Sequence, residues 1–221
     1  MEYRVLSRDA ARAVVEEKLQ IDPCYNAVGR ECLKNSIKIK KVMMPGVRTI
    51  EQQAFFSCTA LKTAEFPKVV KIGKEAFAEC RQVKKLILPE TLEEIGEEAF
   101  YKCDALTDVT LPDTLHKIGG RGFYQCGFER IELPKQLRYI GESAFLKCKQ
   151  LKFVRIPESV SYIGKWVFHG CNELKVLEIH HDPEEIGEWV TNKNCTIRCR
   201  RGSKMEKYAK EYGVHLEFIE Q

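Results

Sequence analysis

Residues 95–115 read IGEEAFYKCDALTDVTLPDTL, and the same phrase returns along the chain every 22 or 23 residues. Its Ile column runs Ile50, Ile72, Ile95, Ile118, Ile140, Ile163 and Ile186. Its Phe column runs Phe55, Phe77, Phe100, Phe123, Phe145 and Phe168, and its Cys column Cys58, Cys80, Cys103, Cys126, Cys148 and Cys171. A fixed period of this length marks a supersecondary unit that cannot bury its apolar face alone and must stack on its neighbours. One elongated domain is expected from the 221 residues, with a core running its whole length.

Within one unit, Leu106, Val109 and Leu111 point inward, and the residues before Pro112 alternate as a short strand does. Proline ends that strand because it has no N–H for a ladder. Leu115 and Ile118 then re-enter the core, and Gly119 is expected to need φ > 0. Glu97–Phe100 reads as a helical or 3₁₀ turn whose Phe fills the wide side of the coil. Each coil is thus expected to give one strand to a parallel sheet and one short helical turn to the opposite wall, with the sheet on the concave face.

The register extends beyond the clear repeats. Val28-Gly29 takes the Ile-Gly slot of a degraded first unit, and Ile186-Gly187 opens a degraded last one. Before the first, Ser7 reads as an N-cap followed by Ala11, Val14, Val15 and Leu19 at helical spacing. After the last come a strand near Ile197 and Cys199, a helix near residues 204–212, Gly213 as its end, and a strand with Val214, Leu216 and Phe218 alternating. The expected organisation is an N-terminal helical cap over residues 1–27, seven repeats over 28–185, and a degenerate repeat with C-terminal cap over 186–221.

With 44% hydrophobic and 31% charged residues, the composition is that of a chain with a continuous core and a charged surface. The net charge of +4 is too small to imply nucleic acid, and no apolar run is long enough for a membrane span. The start, MEYRVLSRDAARAVVEEKLQ, lacks the apolar region and cleavage site of a signal peptide. A cytoplasmic place is expected for the chain as written, and a surface or secreted one if it is a fragment. Six of the ten cysteines share one repeat position, so they are expected to be buried free thiols with weak hydrogen bonds to local carbonyls. Cys195 and Cys199, in a Cys-x3-Cys spacing without nearby histidines, read as structural too. Among the histidines only His180-His181-Asp182 resembles a site, and adjacent strand residues point apart, which disfavours one shared metal. No nucleophile–base pair or phosphate loop is visible, so no enzyme, metal or cofactor is expected.

Strand alternation also sorts the outward residues. One column is Lys41, Thr63, Lys85, Asp108, Arg130, Phe153 and Val176; the next is Met43, Glu65, Ile87, Thr110, Glu132, Arg155 and Glu178. Exposed apolar groups amid both signs of charge suit a protein interface, where aromatic and Arg anchors carry most of the affinity. Lys85, Ile87, Asp108, Thr110, Arg130, Glu132, Phe153, Arg155, Val176 and Glu178 are therefore the candidate partner-binding residues, with Phe153 beside Arg130 and Arg155 as the anchor. A lysine ladder (Lys40, Lys62, Lys84, Lys152, Lys175) and a C-terminal basic cluster (Arg198, Arg200, Arg201, Lys204, Lys207, Lys210) read as solvated stripes.

The phrase resembles the BspA-type leucine-rich repeat, also found in treponemal leucine-rich proteins. The resemblance lies in IGEEAFYKCDALTDVTLPDTLHK, in IGESAFLKCKQLKFVRIPESVSY and in the closing RRGSKMEKYAKEYGVHLEFI, and covers roughly residues 28–221. It implies a right-handed α/β solenoid with a parallel sheet, and adhesion or protein binding, usually at the surface of a bacterium or protist. It carries no catalytic residues. The expected function is a non-catalytic scaffold whose concave sheet binds a protein of unknown identity, in an unknown oligomeric state. The alternatives are a surface adhesin or glycan-binding module, and a self-associating structural module.

Overall fold

A computed structural model describes residues 3–219. Short strands end at the Ile column and its equivalents: Val5–Leu6, Ala27–Val28, Thr49–Ile50, Lys71–Ile72, Glu94–Ile95, Lys117–Ile118, Tyr139–Ile140, Tyr162–Ile163 and Glu185–Ile186. They pair in that order into one parallel nine-stranded sheet. A second set of strands, at the segment before each proline, runs beside it. It comprises Lys18–Gln20, Lys41–Met43 and Thr63–Glu65; then Lys85–Ile87 and Asp108–Thr110; then Phe153–Ile156, Val176–Ile179, Thr196–Cys199 and His215–Phe218. All pair in parallel within their group. The protein is a parallel β-solenoid of about ten turns with few helices. Most coils carry two strands where one was expected. The extra one arises because the residue before each Ile meets its counterpart one coil away with an unpaired backbone.

The third wall is not helical. In the Ile50 coil the N–H groups of Gln53, Phe55 and Ser57 donate to the carbonyls of Lys74, Ala76 and Ala78 one coil on, at 2.9, 2.8 and 2.8 Å. The intervening Ala54, Phe56 and Cys58 donate three residues back within their own coil. Alternation of this kind needs left-handed backbone at Gln53 (φ 56°) and Ser57 (φ 54°), and the pattern repeats at Glu75 and Glu79 and at Glu98 and Lys102. Such conformations disfavour non-glycine residues by roughly 1–2 kcal/mol each, which the inter-coil hydrogen bonds offset.

The repeat glycines have another use than the one expected. Gly119 and its equivalents do not have positive φ. A Cβ at Gly96 would instead lie 2.7 Å from the carbonyl carbon of Gly73, and one at Gly119 2.6 Å from the nitrogen of Glu97. These positions are glycine because neighbouring coils approach backbone to backbone.

Inside, Phe55, Phe77, Phe100, Phe123, Phe145 and Phe168 form one stack, each ring 5.0–5.6 Å from the next and within 11° of parallel. The column cysteines are buried, and each thiol donates to a main-chain carbonyl of the preceding coil. Cys80 reaches Phe55 O at 3.2 Å, Cys103 reaches Phe77 O at 3.2 Å and Cys148 reaches Phe123 O at 3.1 Å. Burial pushes the thiols of Cys58 and Cys103 up to about 12. Cys195 and Cys199 are buried as well, whereas Cys24 is exposed.

At the N-terminus Ser7 does cap a helix, accepting from the Ala10 N–H at 3.2 Å. That helix is confined to Arg8–Arg12 (α1). Leu19 lies in strand Lys18–Gln20, whose register matches Leu19 to Val42, and Leu6 pairs with Val28. The stretch read as one long amphipathic helix is thus wound as a further coil, because strand pairing satisfies the backbone of Lys18–Gln20 while burying Leu19. Near the other end, α2 spans Lys204–Tyr212, with Ser203 as N-cap and Gly213 at φ 65° as its left-handed end. Its Tyr208 hydroxyl accepts the Val190 N–H at 2.7 Å.

Phe100→Ala is expected to cost about 3–5 kcal/mol by opening a cavity in the stack, and Gly96→Ala about 1–3 kcal/mol by overpacking. Asp108→Ala, on the outer face, is expected to stay within about 0.5 kcal/mol; chemical denaturation reads all three. Alkylation of the native protein at pH 8 is expected to modify Cys24 well before Cys103, because the buried thiol is protonated and unreachable. Peptide mapping that finds Cys103 modified as fast as Cys24 would contradict the burial of this column.

Candidate partner-binding surface

The longer strands set the surface by alternation. Their central residues, such as Val42, Leu86 and Val154, are buried, and the residues on either side face out. Lys85, Ile87, Asp108, Thr110, Arg130, Glu132, Phe153 and Arg155 are exposed and Val176 is half-buried. The apolar ones stand well clear, Ile87 with 67% and Phe153 with 41% of its surface accessible.

Glu178 departs from the expected list. It is only 3% exposed, because cations close over it from adjacent strands. One carboxylate oxygen lies 2.6 Å from an Arg155 guanidinium nitrogen and 2.6 Å from His180 Nε2, and the other accepts from Arg198 at 3.1 Å. Arg198 in turn donates to Glu217 at 3.0 Å. Burial alone would raise the Glu178 pKa, yet the hydrogen bonds from Arg198 and His180, with the charge of Arg155, outweigh it and hold the carboxyl below its usual range. Glu178 is a structural counter-ion beneath the face.

Much of the outward charge is neutralised between coils: Lys41 with Glu65 at 2.6 Å, Lys85 with Asp108 at 2.8 Å, and Lys152 with Glu129 at 2.7 Å. The lysine ladder is paired in part as well, Lys40 with Glu17 at 3.1 Å and Lys152 with Glu129, and exposed pairs of this kind stabilise by at most about 1 kcal/mol each. In the C-terminal basic cluster, Arg198, Arg200 and Lys210 are paired with acids. His180 and His181 diverge: His180 meets Glu178, and His181 Nε2 meets the Val160 carbonyl at 2.7 Å.

The sheet is interrupted twice, and a groove opens at each interruption. Strands Thr63–Glu65 and Lys85–Ile87 are neighbours in the stack but belong to different sheets. Between them lies a groove of about 640 Å³ lined by Phe66, Pro67, Ile87, Pro89 and the acids Glu65 and Glu90. The second interruption falls in the Ile118 coil, which has one residue fewer between Cys126 and Pro134 than its neighbours have between Cys103 and Pro112 or Cys148 and Pro157. That coil forms no strand here, and its pairing is reduced to a single bridge, Arg130 to Phe153. Beyond the bridge the two segments part around a groove of about 640 Å³. Arg130, Glu132, Phe153 and Arg155 meet there, joined by Leu133, Lys135 and Pro157, which strand alternation alone did not single out. The missing residue was the available signal.

The sequence matches the profile of the BspA type Leucine rich repeat region (6 copies) over residues 26–123 and 70–198. No curated protein matches it. Among solved structures it is similar to a leucine-rich repeat protein from Bacteroides ovatus ATCC 8483, with a TM-score of 0.72 and 16% identity over 98% of this chain and 76% of that one. The T. pallidum Leucine Rich Repeat protein gives 0.58 and 23% identity over 93% and 87% of the two chains. The pneumococcal vaccine antigen PcpA gives 0.59 and 14% over 94% and 68%. At these identities the likeness is one of fold.

Glu178→Gln is expected to flatten the acid limb of the stability curve. The folded pKa lies below the unfolded value of about 4.3, so the carboxylate's contribution is present above that pH and is lost as pH falls through the folded pKa. Urea denaturation between about pH 3 and pH 7 checks this: the variant is expected to lose stability at pH 7 and to approach the parent at the acid end. An equal deficit at every pH would remove the charge from the explanation.

Proposed function

Because the chain belongs to the family built of BspA type leucine-rich repeats, we propose that it is a non-catalytic scaffold that binds a protein partner on the outward face of its longer-strand sheet. The observation that carries this reading is the second groove. There Phe153 stands exposed between Arg130 and Arg155 over an apolar floor. Aromatic and Arg side chains around a desolvated pocket are the usual anchors of protein interfaces. They are mounted on hydrogen-bonded coils, so little conformational entropy is lost when a partner docks. The repeat constrains the inward columns and leaves these outward positions free to differ from coil to coil.

The test is capture of partners from a lysate by the wild type and by Arg130→Glu/Phe153→Ser, with mass-spectrometric identification. Arg155 is left in place because a carboxylate there would face Glu178. The double variant is expected to melt within about 3 °C of the wild type, as surface changes do, and to lose the specific partners. Retention of every partner by the folded variant would place the interface on another face.

A further inference from the structure

Building on the scaffold reading, we infer that the Arg130–Phe153 groove selects acidic, extended protein segments carrying one apolar side chain. The shape supplies half of this. Ile131, Leu133, Phe153 and Pro157 offer an apolar pocket of about 640 Å³ open along one side, within the range of sites that enclose a ligand group. Pro134 and Pro157, at the parting of the two segments, have no N–H to offer, so the rim is a poor edge for strand addition. A side chain inserting from an extended segment suits it better.

Charge supplies the other half. The lining holds four cations, Arg130, Lys135, Lys152 and Arg155, against one acid, Glu132. Lys152 is paired with Glu129 and Arg155 with Glu178, and with these two pairs set aside the balance is 2 − 1 = +1. Arg130 and Lys135 make no ion pair among the described residues, so they are available to a partner's carboxylates. The first groove is an internal contrast. It has the same volume and a similar apolar, proline-edged lining, but there Lys85 is paired with Asp108 and Glu65 with Lys41, which leaves Glu90 and a balance of 0 − 1 = −1. Two grooves alike in shape and opposite in charge separate partners by electrostatics, attracting one sign and repelling the other.

The experiment titrates the whole chain, by fluorescence polarisation, with short capped peptides: Asp and Glu around a central Leu, the same with a central Ala, and Lys around a central Leu. The acidic Leu peptide is expected to bind at least about tenfold more tightly than either control and to weaken as salt rises. Phe153→Ser, Arg130→Glu and Lys135→Glu are each expected to weaken it about tenfold or more, while Ile87→Ser, in the first groove, leaves it unchanged; circular dichroism confirms that each variant is folded. Equal binding of the Lys peptide, equal loss in Ile87→Ser, or no binding of any peptide overturns the inference. Tighter binding of an oligothymidylate than of the acidic peptide overturns it in favour of nucleic acid. Lysate partners that depend on Phe153 but are neither acidic nor displaced by the peptide would leave the scaffold reading standing and remove this chemistry alone.

Discussion

Each coil of this protein completes its main-chain hydrogen bonding in the coils before and after it. Three ladders do this work: the nine-stranded sheet at the Ile column, the interrupted sheet before the prolines, and the alternating left-handed wall between Gly and Cys. Buried N–H and C=O groups without partners are strongly disfavoured, so a coil has little freedom to shift once its neighbours are placed. The close spacing this imposes explains the glycines, the face-to-face phenylalanines and the thiols that reach back to the preceding carbonyls. It also explains why polar residues such as Glu75 and Lys102 accept a left-handed conformation that they would avoid alone.

The same constraint decides where chemistry can vary. Inward positions answer to the stack, while outward ones answer only to their immediate neighbours one coil away. Several use that freedom for exposed ion pairs between coils. Glu178 goes further: placed in register with Arg155 and Arg198 on the flanking strands, it is buried under them and becomes part of the structure. The two interruptions of the sheet do the reverse. Where pairing lapses, apolar floor is uncovered, and exposed Ile87 and Phe153 stand at the two openings.

Periodicity in the sequence determined the phase of the clear coils, the Ile, Phe and Cys columns of the core and the outward columns including Arg130 and Phe153, and a glycine signal marked the helix end at Gly213. These are legible because burial repeats at a fixed interval and each inward residue type states its own preference. The tertiary structure alone decided the rest. Whether the residue before a column isoleucine pairs, as Tyr139 does with Tyr162, depends on a partner 22 or 23 residues away. Leu19 has helical spacing in the sequence, yet the unpaired edge of Lys41–Met43 draws it into a strand. Glycine at 119 signals special backbone, but only the stacked coils reveal that the reason is a neighbour's backbone rather than φ. Glu178 reads as an outward carboxylate until two arginines and a histidine from other positions close over it. Local preference is carried by each residue, whereas hydrogen-bond partners, close approach and charge burial are properties of pairs that only stacking brings together.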